Sequence, residues 1–180
     1  MQANSSSTNR RGLLAGLGAL IAGGLAGLTP VLAGAFTFLD PLRKSAHDGR
    51  MVFVTRLGAV PDDGVPRKFD IITDKRDAWN TYPNVPVGAV YLRRDGEGRL
   101  AALHVVCPHA GCFVGLASDK SHFACPCHGS HFALDGRIND PASPSPRDMD
   151  ELAVEIRNGD EIWVRFVNFR PGVKEKVAVV

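Results

Sequence analysis

Two short motifs decide the fold of this chain: CPHAGC at residues 107–112 and CPCHGS at residues 125–130. They contain all four cysteines of the 180-residue chain, and twelve residues lie between them. Each motif pairs a cysteine with a histidine at metal-binding spacing and adds a second cysteine. Cysteines this close in sequence are typical of a metal site, of disulfide-linked loops, or of both.

Ligand chemistry separates these alternatives. A structural zinc site takes four ligands in a tetrahedron, usually with two or more residues between paired ligands, and the spacing here is tighter. Zinc would also leave two thiols unused, and a pure disulfide framework would leave the histidines without a role. A 2Fe–2S cluster with two cysteines on one iron and two histidines on the other takes one residue of each type from each motif.

The patterns C-x-H-x-G-C and C-x-C-H-G-S resemble those of the Rieske iron–sulfur proteins of cytochrome bc-type quinol oxidoreductase complexes and their photosynthetic relatives. The resemblance implies a 2Fe–2S cluster of the Rieske type. It implies that Cys107 and Cys125 bind one iron and that His109 and His128 bind the other. It also places the proline-rich residues 141–146 where the family has a loop that covers the cluster.

The same resemblance assigns roles to neighbouring residues and exposes two departures. It implies a disulfide between Cys112 and Cys127, and a hydrogen bond from the Ser130 hydroxyl to a cluster sulfide. Where the family usually has a tyrosine that donates to a ligand sulfur, this chain has Phe132. Where the family commonly has a leucine beside the first histidine, it has Ala110. Because this hydroxyl is missing, we expect a reduction potential below that of ubiquinol-oxidising relatives, which would suit menaquinol.

Ligation by both nitrogen and sulfur affects the charge of the cluster and its ability to exchange protons. Two ferric irons, two sulfides and two thiolates have a formal charge of zero, and neutral imidazoles add nothing. Reduction is therefore easier than for an all-cysteine cluster, and potentials of this class lie between about −150 and +300 mV. Because imidazoles also exchange protons, such a site accepts an electron and a proton together, as quinol oxidation requires.

The N-terminal sequence predicts a membrane anchor. Residues 12–39 contain no charged side chain and follow the pair Arg10-Arg11. As a helix, this stretch would extend about 42 Å, against a hydrocarbon core of about 30 Å. The alternative is a cleaved secretory signal, but its apolar region would be unusually long. The arginine pair is typical of export in the folded state. We expect residues 1–11 to be cytoplasmic, in a single-pass protein of a bacterial inner membrane with its soluble domain on the periplasmic or outer face.

The remaining sequence predicts a hinge linker at residues 40–50 and an all-β domain at residues 51–180. This is the fold class that the resemblance implies: a Rieske-type antiparallel β domain with inserted cluster-binding loops, at about residues 105–146, after one transmembrane helix. The pair Asn158-Gly159 predicts a tight hairpin. The predicted strands are 51–57, 68–73, 87–93, 100–106, 152–157 and 161–167.

These features predict the function. There is no basic stripe to favour nucleic acid as a partner. The resemblance implies the electron-transfer subunit of a dimeric quinol:cytochrome c (or plastocyanin-like acceptor) oxidoreductase. Its partners would be a cytochrome b-type subunit, a c-type cytochrome and quinol, which would hydrogen-bond to His128. Two alternatives are the small Rieske subunit of a periplasmic molybdenum oxidase such as arsenite oxidase, and a zinc-stabilised module without redox function.

Overall fold

The computed structural model describes residues 9–43, 49–76 and 80–179, with only the backbone of residues 40–43. Residues 1–8 of the predicted N-terminus and residues 44–48 of the predicted linker lie outside the described part. The chain divides into two compact units, Met1–Ser45 and Ala46–Val180. Each unit is a separate body with its own secondary structure.

The first unit contains one long helix, α1, at Arg10–Arg43. Asn9 caps its beginning, because its side-chain oxygen accepts a hydrogen bond from the backbone N–H of Arg11 at 3.3 Å. The part Arg10–Leu39 is long and apolar enough to cross a membrane. The helix contains all of the predicted anchor, 12–39, and continues through the first residues of the predicted linker.

The second unit is built from short strands, and every pairing between them is antiparallel. Its one helical element within residues 49–76 and 80–179 is a 3-10 turn at Leu57–Ala59. This confirms the predicted all-β class. The strands are β1 Arg50–Arg56, β2 Arg67–Arg76, β3 Thr81–Arg94, β4 Leu100–His104, β5 Gly115–Leu116, β6 Phe123–Cys125, β7 Ser130–Phe132, β8 Glu151–Leu152, β9 Val154–Arg157, β10 Glu161–Phe166, β11 Asn168–Phe169 and β12 Ala178–Val179.

Five of the six strands predicted from the sequence are present with shifted ends, and the sixth, 152–157, is divided at Ala153 into β8, which pairs with β4, and β9, which pairs with β10. The β9–β10 hairpin turns at Asn158 and Gly159, whose φ angles of 51° and 86° are those of the expected turn. β3 begins at Thr81, six residues earlier than predicted, because its first half pairs with β2 despite containing two prolines. The short strand β5 follows the first motif, and β6 and β7 flank the second; the sequence did not predict these three strands.

Strands β3 and β4 form a wall shared by two hydrophobic cores, because side chains alternate between the faces of a strand. On β3, Val90 and Leu92 face one core, while Ala89 and Tyr91 face the other. The first core is enclosed by the sheets β1-β10-β9 and β2-β3-β4-β8. The second lies under the small sheet β5-β6-β7 and includes the side chains of Leu103, Val105, Cys107, Val114, Phe123, Cys125, Phe132 and Met149. The motifs therefore sit on a packed frame.

A buried histidine connects this frame to the chain just before the first motif. His104 is 2% exposed, and its Nδ1 accepts the backbone N–H of Val106 at 3.0 Å. Since that N–H can only donate, Nδ1 carries no proton, and Nε2–H donates to Asn168 Oδ1 at 3.1 Å. The ring stacks on Phe166 with a centroid distance of 5.1 Å. Burial lowers the pKa of His104, which favours this neutral form.

We expect His104 to make the domain sensitive to acid. The unfolded chain takes up this proton at about pH 6.5, the ordinary value for histidine, whereas the folded chain does not. Stability is therefore complete above that pH and falls as the pH decreases below it. In His104→Gln, the acid-side slope of the unfolding free energy should be shallower by up to about 1.4 kcal/mol per pH unit. Urea unfolding of both full chains in detergent across this range measures the slopes, and equal slopes would contradict the assignment.

Candidate metal centre

Two loops of matching shape carry the motifs: the first loop, residues 107–112, and the second loop, residues 125–130. In the first, Gly111 N–H donates to Cys107 O at 3.0 Å, and in the second, Gly129 N–H donates to Cys125 O at 3.1 Å. Both glycines have positive φ, 81° and 71°, a conformation that other residues adopt only with strain. Each cysteine–glycine spacing therefore closes the same five-residue turn, which explains why both motifs carry a glycine there.

A disulfide joins the two loops. It links Cys112 and Cys127, which are 15 residues apart in sequence, and is the pairing that the family resemblance implies. The Sγ atom of Cys125 lies within 4.8 Å of both of these sulfurs. Three sulfurs so close resemble a metal site, but disulfide sulfurs are not thiolates and do not serve as such ligands. Their role is to hold the loops together.

The remaining two thiols are neighbours inside the domain. Cys107 and Cys125 are free, buried and part of the same core. Burial raises the pKa of the Cys107 thiol. The His109 backbone N–H and the Ser130 hydroxyl lower this pKa in part, while the neighbouring Cys125 raises it further. The protein environment thus disfavours thiolate at Cys107, and a positively charged group would favour it.

The two motif histidines meet on the solvent side of these thiols. The rings of His109 and His128 lie 4.8 Å apart between centroids, at 84° to each other. His109 is half-buried, and its Nδ1 is inaccessible to water with no hydrogen-bond partner in the protein. His128 is exposed. A buried nitrogen without a partner is costly, and metal coordination would satisfy it.

Ser130 contributes a second buried atom of this kind. Its side chain is fully buried, and its Oγ has no hydrogen-bond partner of regular geometry in the protein, although it is close enough to Cys107 to lower that thiol's pKa. The two loops thus hold two buried thiols, a partnerless imidazole nitrogen and a partnerless hydroxyl. This donor set fits a 2Fe–2S group, which takes thiolate and imidazole ligands and accepts a hydrogen bond on sulfide.

The structure also places the two departures from the family pattern. Phe132 lies on β7, fully buried in the core that contains both free thiols. Ala110 is exposed at the tip of the first loop, so the surface there is small and shallow. The proline-rich residues 141–146 precede Arg147, whose backbone carbonyl accepts the Ser145 hydroxyl at 2.7 Å.

One contact of the first loop was missed by the sequence analysis. Gly172 N–H donates to Pro108 O at 2.8 Å, although the two residues are far apart in sequence. The pair Pro171-Gly172 marks a turn but contains nothing that indicates which part of the domain it contacts. Such long-range pairing is specified by the assembled fold and not by local sequence.

Comparison with known proteins identifies the class. The model of the family described as the Rieske [2Fe-2S] domain matches residues 51–156, and the chain belongs to this family. The match includes both loops and stops before the segment that contains Gly172. The 2Fe–2S cofactor predicted from the motifs is thereby confirmed.

Relatives place the chain more narrowly. It is 31% identical over 149 residues to the menaquinol:cytochrome c reductase iron-sulfur subunit of Geobacillus thermodenitrificans, covering 81% of this chain and 82% of the relative. The protein of that name from Bacillus subtilis is 31% identical over 124 residues, covering 67% and 71%. A chloroplastic cytochrome b6-f complex iron-sulfur subunit from Bigelowiella natans is 31% identical over 106 residues, covering 56% and 41%.

The disulfide should contribute substantially to stability. A cross-link between residues that are 15 apart in sequence lowers the conformational entropy of the unfolded chain. This stabilises the folded chain by about 3 kcal/mol. The double variant Cys112→Ser, Cys127→Ser should therefore lose about that much unfolding free energy. Urea unfolding with and without a thiol reductant measures the effect. The reductant should destabilise the wild-type chain and leave the double variant unchanged; an unchanged wild-type midpoint would contradict the prediction.

Proposed function

We propose that this chain is the Rieske electron-transfer subunit of a membrane quinol:cytochrome c (or plastocyanin-like acceptor) oxidoreductase. The observation that carries the proposal is the arrangement of the site, with two neighbouring buried thiols beneath a pair of histidines, one of which is exposed. A one-electron carrier needs its redox group shielded inside the protein but reachable at one edge. The names of the relatives support the same class of complex.

The family resemblance supplies the ligand roles. Cys107 and Cys125 would hold one iron as thiolates, and His109 and His128 would hold the other. His109 uses Nδ1, the nitrogen that is buried without a partner. Ser130 donates its hydroxyl to a sulfide. When bound, the cluster supplies reversible one-electron chemistry at a raised potential.

His128 is the residue proposed to meet the quinol. It is exposed, so its outer nitrogen, Nε2, is free to hydrogen-bond a quinol hydroxyl. If its other nitrogen holds ferric iron, the Nε2–H of His128 would be made acidic, and the deprotonated Nε2 would accept the quinol proton as the electron leaves the quinol. His109, half-buried beside it, orients the pair and limits access by water.

The anchor and linker complete the proposal. Helix α1 holds the chain in the inner membrane of a bacterium, with residues 1–11 cytoplasmic and the β domain on the periplasmic or outer face. The partners are a cytochrome b-type subunit and a c-type cytochrome in a dimeric complex. The linker at residues 40–50, within which the two compact units divide, lets the β domain move between these partners.

The ligand assignment is tested by substitution at single positions. The full chain in detergent should contain two irons and two acid-labile sulfides, with a Rieske electron paramagnetic resonance spectrum on reduction. Because each of the four ligands completes an iron site, Cys107→Ser, His109→Gln, Cys125→Ser and His128→Gln should each abolish that spectrum. Iron analysis and the spectrum are read together for every variant.

A second pair of histidines provides the matched control. His122 and His131 lie near the second loop with ring centroids 5.4 Å apart. His122→Gln and His131→Gln should keep the iron content and the spectrum of the wild-type chain. Loss of the spectrum in these variants, or its survival in His109→Gln or His128→Gln, would refute the assignment.

Phe132 supports menaquinol as the substrate of the complex. A hydroxyl donating to a ligand sulfur stabilises the extra negative charge of the reduced state, and its loss lowers the potential. Menaquinol is a stronger reductant than ubiquinol and suits a carrier of lower potential. Two of the relatives are named menaquinol:cytochrome c reductase iron-sulfur subunits.

The variant Phe132→Tyr tests this role. Phe132 lies in the core that holds both thiols, at the position where the family has a tyrosine that donates to a ligand sulfur, so a hydroxyl added there should raise the midpoint potential. Phe123→Tyr adds the same group at the residue that pairs with Phe132 on the neighbouring strand, where the ring packs against Tyr91. The control should keep the wild-type potential in protein-film voltammetry. An unchanged or lowered potential in Phe132→Tyr would contradict the prediction.

A further inference from the structure

We propose that residues 168–179, which we call the strap, position the first loop and thereby tune the redox centre. The inference rests on the proposed ligand role of His109 in that loop. The strap lies outside both motifs and supplies no ligand. It acts through the backbone on either side of His109, so Gly172 and its supports are positioning residues.

The strap is a closed unit. Strands β11 and β12 pair at its two ends, with Asn168 opposite Val179 and Phe169 opposite Ala178. Inside this pairing, Arg170 N–H donates to Val177 O at 2.8 Å. The strap thus returns on itself and presents its turn, residues 171–172, to the first loop.

One backbone hydrogen bond and close packing join that turn to the loop. Gly172 N–H donates to Pro108 O at 2.8 Å, and Pro108 stands between the proposed ligands Cys107 and His109. Gly172 has a φ of 77°, and a Cβ placed on it would lie 3.5 Å from His109 O. A Cβ on Gly111 would meet Pro171 at 3.6 Å. The strap therefore packs against the first loop at His109 and at its neighbours on both sides.

A buried ion pair fixes the strap in turn. Arg147 forms a two-pronged contact with Asp150, with N···O distances of 2.9 and 2.8 Å, and both side chains are almost fully buried. The same guanidinium donates to Val173 O at 2.5 Å and to Arg170 O at 3.1 Å. One planar cation thus ties Asp150 to both sides of the strap turn, a geometry that a lysine ammonium does not reproduce.

The opposite end of the strap is anchored to the chain that enters the first loop. Asn168 accepts the Nε2–H of His104, and the Nδ1 of that ring accepts the N–H of Val106, the residue before Cys107. The backbone N–H of His104 donates to Asp150 O at 2.8 Å. The first loop is therefore held by the strap directly and through its entering strand, whereas the second loop is held by its own hairpin.

Gly172→Ala tests this role against a matched control. It places a side chain at positive φ and in van der Waals contact with His109 O. Gly159→Ala imposes the same conformational strain, since Gly159 has a φ of 86°, but a Cβ there meets nothing within 4 Å and lies in the β9–β10 turn. Both full chains in detergent are compared with wild type by redox titration and by amide hydrogen exchange of the first loop.

The expected result separates the two variants. Gly172→Ala should shift the midpoint potential and make the amides of Cys107 and Gly111 exchange several-fold faster, while Gly159→Ala should change neither. Arg147→Lys, which weakens the strap without backbone strain, should shift the potential in the same direction as Gly172→Ala. Equal potentials in the two glycine variants, or no shift in Arg147→Lys, would overturn the inference.

The two proposals fail differently in this experiment. If the wild-type chain binds no iron, the proposed function fails, and the exchange rates alone decide whether the strap positions the loop. If the chain binds its cluster and Gly172→Ala behaves like Gly159→Ala, the strap proposal fails while the proposed function stands. Equal exchange rates in the two glycine variants overturn the strap's role in either case.

Discussion

The structure depends on one constraint: two loops from different parts of the chain must present a cysteine and a histidine each to the same small volume. Matching five-residue turns shape the loops, the Cys112–Cys127 disulfide joins them, and the shared wall of β3 and β4 supports them. Because the thiols lie inward and the histidines outward, the arrangement has a shielded side and an accessible side. A Rieske centre needs both sides, because its redox group must be shielded from water and still be reachable by a partner.

Electrostatics explains why the site requires its cofactor. Burial holds Cys107 in the thiol form, and His109 Nδ1 and Ser130 Oγ are buried without partners. An isolated buried polar atom is unfavourable, and a folded site with several is complete only when something satisfies them together. A 2Fe–2S cluster held by the proposed ligands would do so, since iron stabilises thiolate and imidazole ligands and sulfide can accept a hydrogen bond from a hydroxyl. Binding of the cluster would therefore also stabilise the two loops.

Local sequence predicted the parts of the fold that depend on local chemistry. The Asn158-Gly159 hairpin and the apolar helix were visible as short patterns, and the Cys112–Cys127 pairing was implied by the family resemblance of the motifs. The longer start of β3 was not, because Pro83 and Pro86 mask a strand that pairing with β2 stabilises. The contact of Gly172 with Pro108 was also invisible, since it joins residues far apart in sequence through backbone atoms that every residue possesses.

The central claim is that one iron is bound by two thiolates and the other by two imidazoles. Mössbauer spectroscopy of the oxidised, ⁵⁷Fe-enriched full chain tests it most directly, because both irons are then ferric and differ only in their ligands. The account predicts two quadrupole doublets of equal area. A single doublet, which equivalent all-thiolate irons would give, or the absence of bound iron, would contradict it.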